Sequence, residues 1–490
     1  MPPRPTHSGP LRTGIVALAS QGTQQMSGLV LMLLAISVMP LADYGAYALA
    51  IVSVEFVVML THTGFHHFLV TSDADDTPLF STLFWTILGL GTLGGLGLWM
   101  MAQPMSEVFA APLLELLLLG FALLQPAAAM VAWATACHSR LGHMQTLCQR
   151  QLAINLISLT AGCIALLIWP SVFALLIFRA IKVLLGVWLL FWCGPLQPKA
   201  QFSRQILSNA ACYARGLYGT RLLEYLSNFG TDLILAYLFS TTESGIYRIA
   251  HRLAFACIEL ITHPLRLFAL QTLARAQRLG HPIAQIFANY LAALLLLSGG
   301  IVVLFVLSGG AILTMASNSD FLTAFAVSQV LIFRAAFLGI NSLLEPALAT
   351  LNDNMAALRH NLIWTGLFLV VTVLAAPLGV ALLAALQTGL AGLTALAAMF
   401  VLSRRINLNT AVAQVIRSFA VLALYCGGVT LIWQVFPSTG TVLETGLKLA
   451  ATGVIAAVSL AFARRLGCLS PDIFASQPIS GASPLPAQQR

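Results

Sequence analysis

The chain has 490 residues, of which 59% are hydrophobic and 8% charged, with 24 Lys and Arg against 16 Asp and Glu. A soluble domain carries about 25% charged residues, so this composition excludes a string of soluble domains and leaves one polytopic membrane body. The eight cysteines include no CxxC pair, which argues against a disulfide framework or a metal site and for small apolar packing residues.

In chain order, apolar stretches long enough to cross a hydrocarbon core of ~30 Å run over Leu11–Met39, Asp43–Val70, Leu79–Met101, Phe109–Ala136, Leu152–Trp169, Ser171–Trp192 and Ser208–Leu238. A second set covers Glu243–Leu270, Ile283–Leu307, Phe321–Leu351, Met355–Ala376, Val380–Leu402, Ala411–Val435 and Val442–Ala463. The first stretch is too long for a signal-peptide core and no small-residue cleavage site follows it, so it reads as an uncleaved helix. The expected fold is an all-α polytopic membrane protein of 14 transmembrane helices.

Charge fixes the expected orientation. If odd and even connections alternate from an inner start, the inner loops hold Arg140, Arg150, Lys199, Arg204, Arg275, Arg278, Arg359, Arg404 and Arg405. The outer connections hold no Lys or Arg, so the positive-inside rule places both ends in the cytoplasm. The loop Thr71–Thr77 carries Asp73, Asp75 and Asp76 on the inner side, but acids contribute little to orientation. The tail 467–490, rich in Pro, Ser, Ala and Gln, is expected to be a disordered cytoplasmic segment.

An octet repeats. Asp43-Tyr44-Gly45-Ala46-Tyr47-Ala48-Leu49-Ala50 returns as Glu243-Ser244-Gly245-Ile246-Tyr247-Arg248-Ile249-Ala250, each copy opening the second helix of a set. An internal duplication follows, with helices 1–6 (residues 1–197) and 7–12 (198–405) as two pseudo-symmetric six-helix bundles and 406–466 as two added helices. Duplicated bundles are the build of many secondary transporters, with the substrate site between the repeats. No outer loop is long enough for a catalytic apparatus, and no nucleotide-binding loop is present, so the chain is expected to be a transporter and not an enzyme.

Nine bases fall inside spans: Arg179, Lys182, Arg215, Arg221, Arg248, Arg252, Arg266, Arg334 and Lys448. Each costs about 2.5–3.5 kcal/mol at a helix centre, which makes each a functional hypothesis. Seven lie on spans 6, 7 and 8 against three acids, Glu224, Asp232 and Glu259. At about 100° per residue, Arg248, Arg252, Glu259 and Arg266 share one face of span 8, as do Arg221, Glu224, Tyr225, Asn228 and Asp232 on span 7, while Arg215 sits off that face. Arg334, Asn341 and Glu345 align on span 10. Ion pairing between helices accounts equally well for Glu224 with Arg221, Glu345 with a neighbouring base, and Glu444 with Lys448. It does not absorb the whole set, and an excess of buried Arg asks for an anionic, phosphate-like cargo. In the first set, Gln21, Gln24 and Gln25 form a patch that suits sugar hydroxyls or interhelical bonding, and Glu55, His62 and His66 align as a proton relay or a structural pair.

Leu41–Ala50, Asp232-Leu233-Ile234-Leu235 and the Gly-x-Tyr-x-x-Ala-x-Arg stretch Gly245–Arg252 resemble the bacterial polysaccharide-transport or oligosaccharide flippase family of the multidrug/oligosaccharidyl-lipid/polysaccharide exporter superfamily. The resemblance implies a carrier that moves a polyprenyl-pyrophosphate-linked oligosaccharide from the inner to the outer leaflet by alternating access, for surface polysaccharide biosynthesis. It implies substrate contacts from Arg179, Lys182, Arg215, Arg221, Arg248, Arg252 and Arg334, and partners among membrane lipids, a polymerase and glycosyltransferases; no nucleic acid is expected. No cofactor or metal is expected beyond H+ or Na+, for which Glu55, Glu224, Glu259 and Glu345 are the candidate coupling acids. The rival readings are a cation-coupled multidrug exporter, which wants central acids, and a lipid II flippase, whose arginine signature on the first helix is missing here.

Overall fold

The computed structural model of the protein describes residues 10–61, 63–72, 76–141, 143–194, 196–238, 241–278, 283–314, 319–351, 353–435 and 442–465. Among these residues there is no strand. The helices are α1 (Pro10–Val38), α2 (Leu41–Thr61), α3 (Thr63–Thr71), α4 (Asp76–Val108), α5 (Pro112–Arg140), α6 (Met144–Ile168), α7 (Val172–Gly186, continued by a π-helical turn Val187–Trp192) and α8 (Arg204–Leu238). They continue as α9 (Thr241–Arg278), α10 (Ile283–Thr314), α11 (Ser319–Ser342), α12 (Leu344–Thr350), α13 (Asn354–Ala375), α14 (Val380–Ser403), α15 (Asn409–Val435) and α16 (Val442–Arg465).

Every expected span coincides with a helical rod, the second with α2 and α3 and the tenth with α11 and α12. By length and composition, ten of the rods can cross a membrane; α1, α8, α9 and α16 are not among them. Two of those four, α8 and α9, carry most of the bases that the sequence sets within spans. The protein is a multi-pass, all-helical membrane protein, with ten helices among the described residues long and apolar enough to cross a membrane. Large apolar side chains such as Leu123, Ile168 and Leu374 face outward, as a lipid solvent requires. The expected acidic loop (Asp73 and Asp75) and the tail 467–490 lie outside the described residues.

The chain forms two compact units. The first comprises Met1–Ala256, Thr314–Leu331 and Leu358–Leu390; the second comprises Cys257–Leu313, Ile332–Ala357 and Ala391–Arg490. In the first, α4 lies along α5, α1 along α6, and α8 against α2 and α3. Its core is aromatic: the Phe84 ring meets Trp133 edge-on at 5.1 Å and stacks on Phe191 at 5.6 Å. The buried Trp133 indole donates to the Phe80 carbonyl at 2.9 Å, so the ring is fixed by a bond that lipid cannot replace. The second unit packs Leu265, Phe287, Leu291, Leu344, Leu348 and Leu402 around Tyr290, whose hydroxyl meets Thr272 at 2.8 Å.

The repeated octets touch each other inside the first unit. A Cβ on Gly245 would stand 3.1 Å from the Leu41 carbonyl oxygen and 3.3 Å from the Gly45 Cα, so α2 and α9 approach where each copy has glycine. Beside that crossing, the buried Tyr247 hydroxyl donates to Gln387 Oε1 at 2.6 Å. The Gln387 amide donates in turn to Thr231 and Thr372. A side chain at Gly245 must push the two backbones apart. Gly245→Val is expected to destabilise the protein by about 1–3 kcal/mol, lowering its melting temperature in detergent. Gly219→Ala, where an added methyl meets nothing within 4 Å, is expected to leave it unchanged.

Candidate functional site

Side chains from five helices, four of them supplying polar groups, converge in the first unit on a cavity of about 380 Å³. Helix α1 supplies Gln24, Gln25, Ser27 and Gly28; α2 supplies Tyr44, Tyr47 and Glu55; α7 supplies Arg179 and Lys182; α8 supplies Phe229; and α9 supplies Arg248 and Arg252. Spacing explains the convergence. Tyr44, Tyr47, Ile51 and Glu55 stand three or four apart on α2, as do Arg248 and Arg252 on α9 and Arg179 and Lys182 on α7, so each helix turns one face to the same space.

The four bases are held differently. Arg248 Nη1 lies 2.9 Å from Asp232 Oδ2, with Asp232 almost wholly buried, and its guanidinium stands over the Phe229 ring at 4.7 Å. That pair is locked by a charge-assisted hydrogen bond and a cation–π contact. Arg179 Nη2 lies 3.8 Å from Glu55 Oε1, with both side chains about one-third exposed, and the Tyr47 side chain lies within its electrostatic reach. Arg252 reaches α1, where it donates to Gln25 Oε1 at 3.4 Å. An added Cβ on Gly28 would lie 2.8 Å from the Arg252 Nη2, so glycine at that position makes room for the guanidinium. Lys182 lies within electrostatic reach of Arg179, Arg252 and Glu55. The lining therefore carries four bases and, among the described residues, one carboxylate.

The structure gathers Arg179, Lys182, Arg248, Arg252 and Glu55 and places the other expected site residues elsewhere. Arg215 is exposed on α8 and does not line this cavity. Arg221 Nη2 meets His67 Nε2 at 3.2 Å, while the Glu224 side chain, the expected partner of Arg221, lies outside the described residues. Arg334 is buried in the second unit. Glu345, also in the second unit, pairs with Arg266 at 3.8 Å, as the ion-pair reading had it. Glu259 is half-buried on the part of α9 assigned to the second unit. His62, the side chain of Gln21 and that of Glu444 lie outside the described residues. No cluster able to hold a metal occurs among the described residues. Tyr44, Tyr47, Gly28 and Phe229 line the site as well, and of these only Tyr47 is marked in the sequence, as a constant of the octet.

The model of the family described as polysaccharide biosynthesis protein matches residues 38–326. The chain belongs to that family. The chain is also 24% identical, over 217 residues, to the succinoglycan biosynthesis transport protein ExoT of Rhizobium meliloti (strain 1021). That match covers 43% of each chain, less than half the length of the relative. Among solved structures, its fold resembles the lipid II flippase MurJ in an inward closed conformation, with a TM-score of 0.73 and 11% identity over 92% of this chain and 99% of that one. It also resembles an inward-facing multidrug resistance MATE family transporter of the MOP superfamily, with a TM-score of 0.59 and 12% identity over 83% and 99% of the two chains. The fold and family that the octets suggested are those found.

The pairing pattern separates fold from function in mutants. Arg248→Ala leaves the buried Asp232 carboxylate without its guanidinium and is expected to cost about 3–5 kcal/mol, seen as reduced membrane abundance. Arg248→Ala combined with Asp232→Asn is expected to recover abundance but not transport. Arg252→Ala is expected to keep normal abundance and lose transport, and Arg252→Lys to regain part of it, because lysine keeps the charge and loses the planar fork. Transport and immunoblotted membrane fractions, measured side by side, check all four.

Proposed function

We propose that this protein is a flippase of the bacterial inner membrane that moves a polyprenyl-pyrophosphate-linked oligosaccharide from the cytoplasmic to the outer leaflet. The observation that carries the reading is the cavity lining, four bases with one carboxylate. An anionic headgroup is drawn to that lining and an organic cation is repelled, which weighs against the multidrug-exporter reading. Pyrophosphate oxygens fit the planar donor forks of Arg179 and Arg252, with Lys182 as a point charge beside them. Gln24, Gln25, Tyr44 and Tyr47 offer the amide and hydroxyl groups that sugar hydroxyls bond. At about 380 Å³ the cavity suits the pyrophosphate and its nearest sugar, with the rest of the glycan and the prenyl chain outside it.

In this reading, residues 1–197 and 198–405 act as two halves that rock about the cargo, both chain ends face the cytoplasm, and the pathway's glycosyltransferases and polymerase act before and after the step. The protein forms no covalent bond with its cargo. Glu55, Glu224, Glu259 and Glu345 are the candidate sites for H+ or Na+ coupling, Glu55 and Glu345 each standing 3.8 Å from an arginine. The likeness in fold to a lipid II flippase favours a second cargo of the same headgroup chemistry, and one experiment separates the two. In a strain lacking the gene, lipid-linked glycan of the surface polysaccharide is expected to accumulate on the cytoplasmic leaflet while peptidoglycan synthesis continues. Accumulation of lipid II instead would assign the second cargo, and normal surface polysaccharide with no accumulated lipid would reject both.

A further inference from the structure

The cavity holds two arginine–carboxylate pairs of opposite character. Arg248 and Asp232 are hydrogen-bonded at 2.9 Å, with side-chain exposures of 13% and 1%. Arg179 and Glu55 are 3.8 Å apart, beyond hydrogen-bond length, with exposures of 35% and 34%. The first pair is part of the wall. The second opens without breaking a hydrogen bond, and both its members face the cavity. Tyr47 lines the same cavity as Arg179 and lies within its electrostatic reach.

We infer that Glu55 is a built-in counter-anion of the phosphate seat: in the empty cavity it neutralises Arg179, and an arriving phosphate group takes its place. The inference rests on the reading that the cavity receives a pyrophosphate lipid. A phosphate group offers the guanidinium fork two oxygens at hydrogen-bond length, which a carboxylate at 3.8 Å does not. It also reaches Lys182 and Arg252, the bases next to Arg179 in the electrostatic field of the site. Exchange is therefore favourable when cargo is present, and reversal is favourable when cargo leaves. A carrier needs both, because a seat of three bases without an internal rival binds its anion and keeps it. Since Glu55 and phosphate compete for one partner, each weakens the hold of the other. Glu55 thus sets affinity and release, and it is a positioning group for Arg179 rather than a contact of the cargo.

Calorimetric titration of the full-length protein in nanodiscs with geranyl pyrophosphate tests this, using wild type, Glu55→Gln and Glu55→Asp with melting temperatures recorded for each. Glu55→Gln is expected to bind about tenfold more tightly than wild type, with the slower release seen as a lower turnover in proteoliposomes. Glu55→Asp, which retracts the carboxylate from Arg179, is expected to fall between them and serves as the readout if the glutamine variant melts early. Equal or weaker binding by a folded Glu55→Gln, with wild type binding normally, would overturn the counter-anion role and leave the cargo reading standing. Absence of binding in every form would overturn the cargo reading, and the exchange with it.

Discussion

A guanidinium within a hydrocarbon slab must have an anion, a polar group or water beside it, and the first unit is organised around that requirement. Arg248 meets it with Asp232 and the Phe229 face, Arg179 with Glu55 and Tyr47, and Arg252 with Gln25 across the gap that Gly28 leaves. These partners come from α1, α2 and α8, so the bases tie together the helices that enclose them. The same contacts keep the cavity polar. A space lined by four bases stays wet, and the conditions that make it costly in lipid make it attractive to a phosphate headgroup.

The repeated octet shows how one motif serves two ends. Both copies keep the glycine, and Gly245 admits the backbone of Leu41 and Gly45 at the crossing of α2 and α9. The tyrosines have diverged. Tyr47 faces the cavity and meets Arg179, whereas Tyr247 is buried and bonded to Gln387, which also holds Thr231 and Thr372. The position after the tyrosine differs as well, with Ala48 in the first copy and Arg248 in the second. The crossing is retained by both copies while the charge was placed on one.

The helical build was legible because lipid leaves so few alternatives: long apolar runs set off by polar breaks give rods, and the rods fall where those runs are. The bases of the site were legible as a class, since an arginine in an apolar span has no bland explanation. Which of them share a cavity was not, and the reason is geometric. Helical periodicity fixes the face a residue occupies on its own helix but not the neighbour that face meets. Arg248 and Arg266 share a stripe on α9, yet one lines the cavity and the other pairs with Glu345. Arg221 stands beside His67 of α3, a contact between residues 154 apart in sequence that no helical period shows. Tyr44 and Tyr47 escaped notice because tyrosine is an ordinary interior residue, and only the position of Arg179 turns Tyr47 into part of the site. The compact units divide within α9, α11, α13 and α14 and at the end of α10.

The central claim is that the cationic cavity of the first unit receives the phosphate end of a lipid-linked glycan. The most direct measurement is photo-crosslinking of the protein in native membranes with a polyprenyl-pyrophosphate glycan carrying a photoreactive group on the sugar next to the pyrophosphate, followed by peptide mapping. The account predicts labelled peptides from α1, α2, α7 and α9 around Gln25, Tyr47, Lys182 and Arg252, and loss of that labelling when excess unlabelled prenyl pyrophosphate is added. Labelling confined to lipid-facing surfaces, or displaced by an organic cation and not by prenyl pyrophosphate, would contradict it.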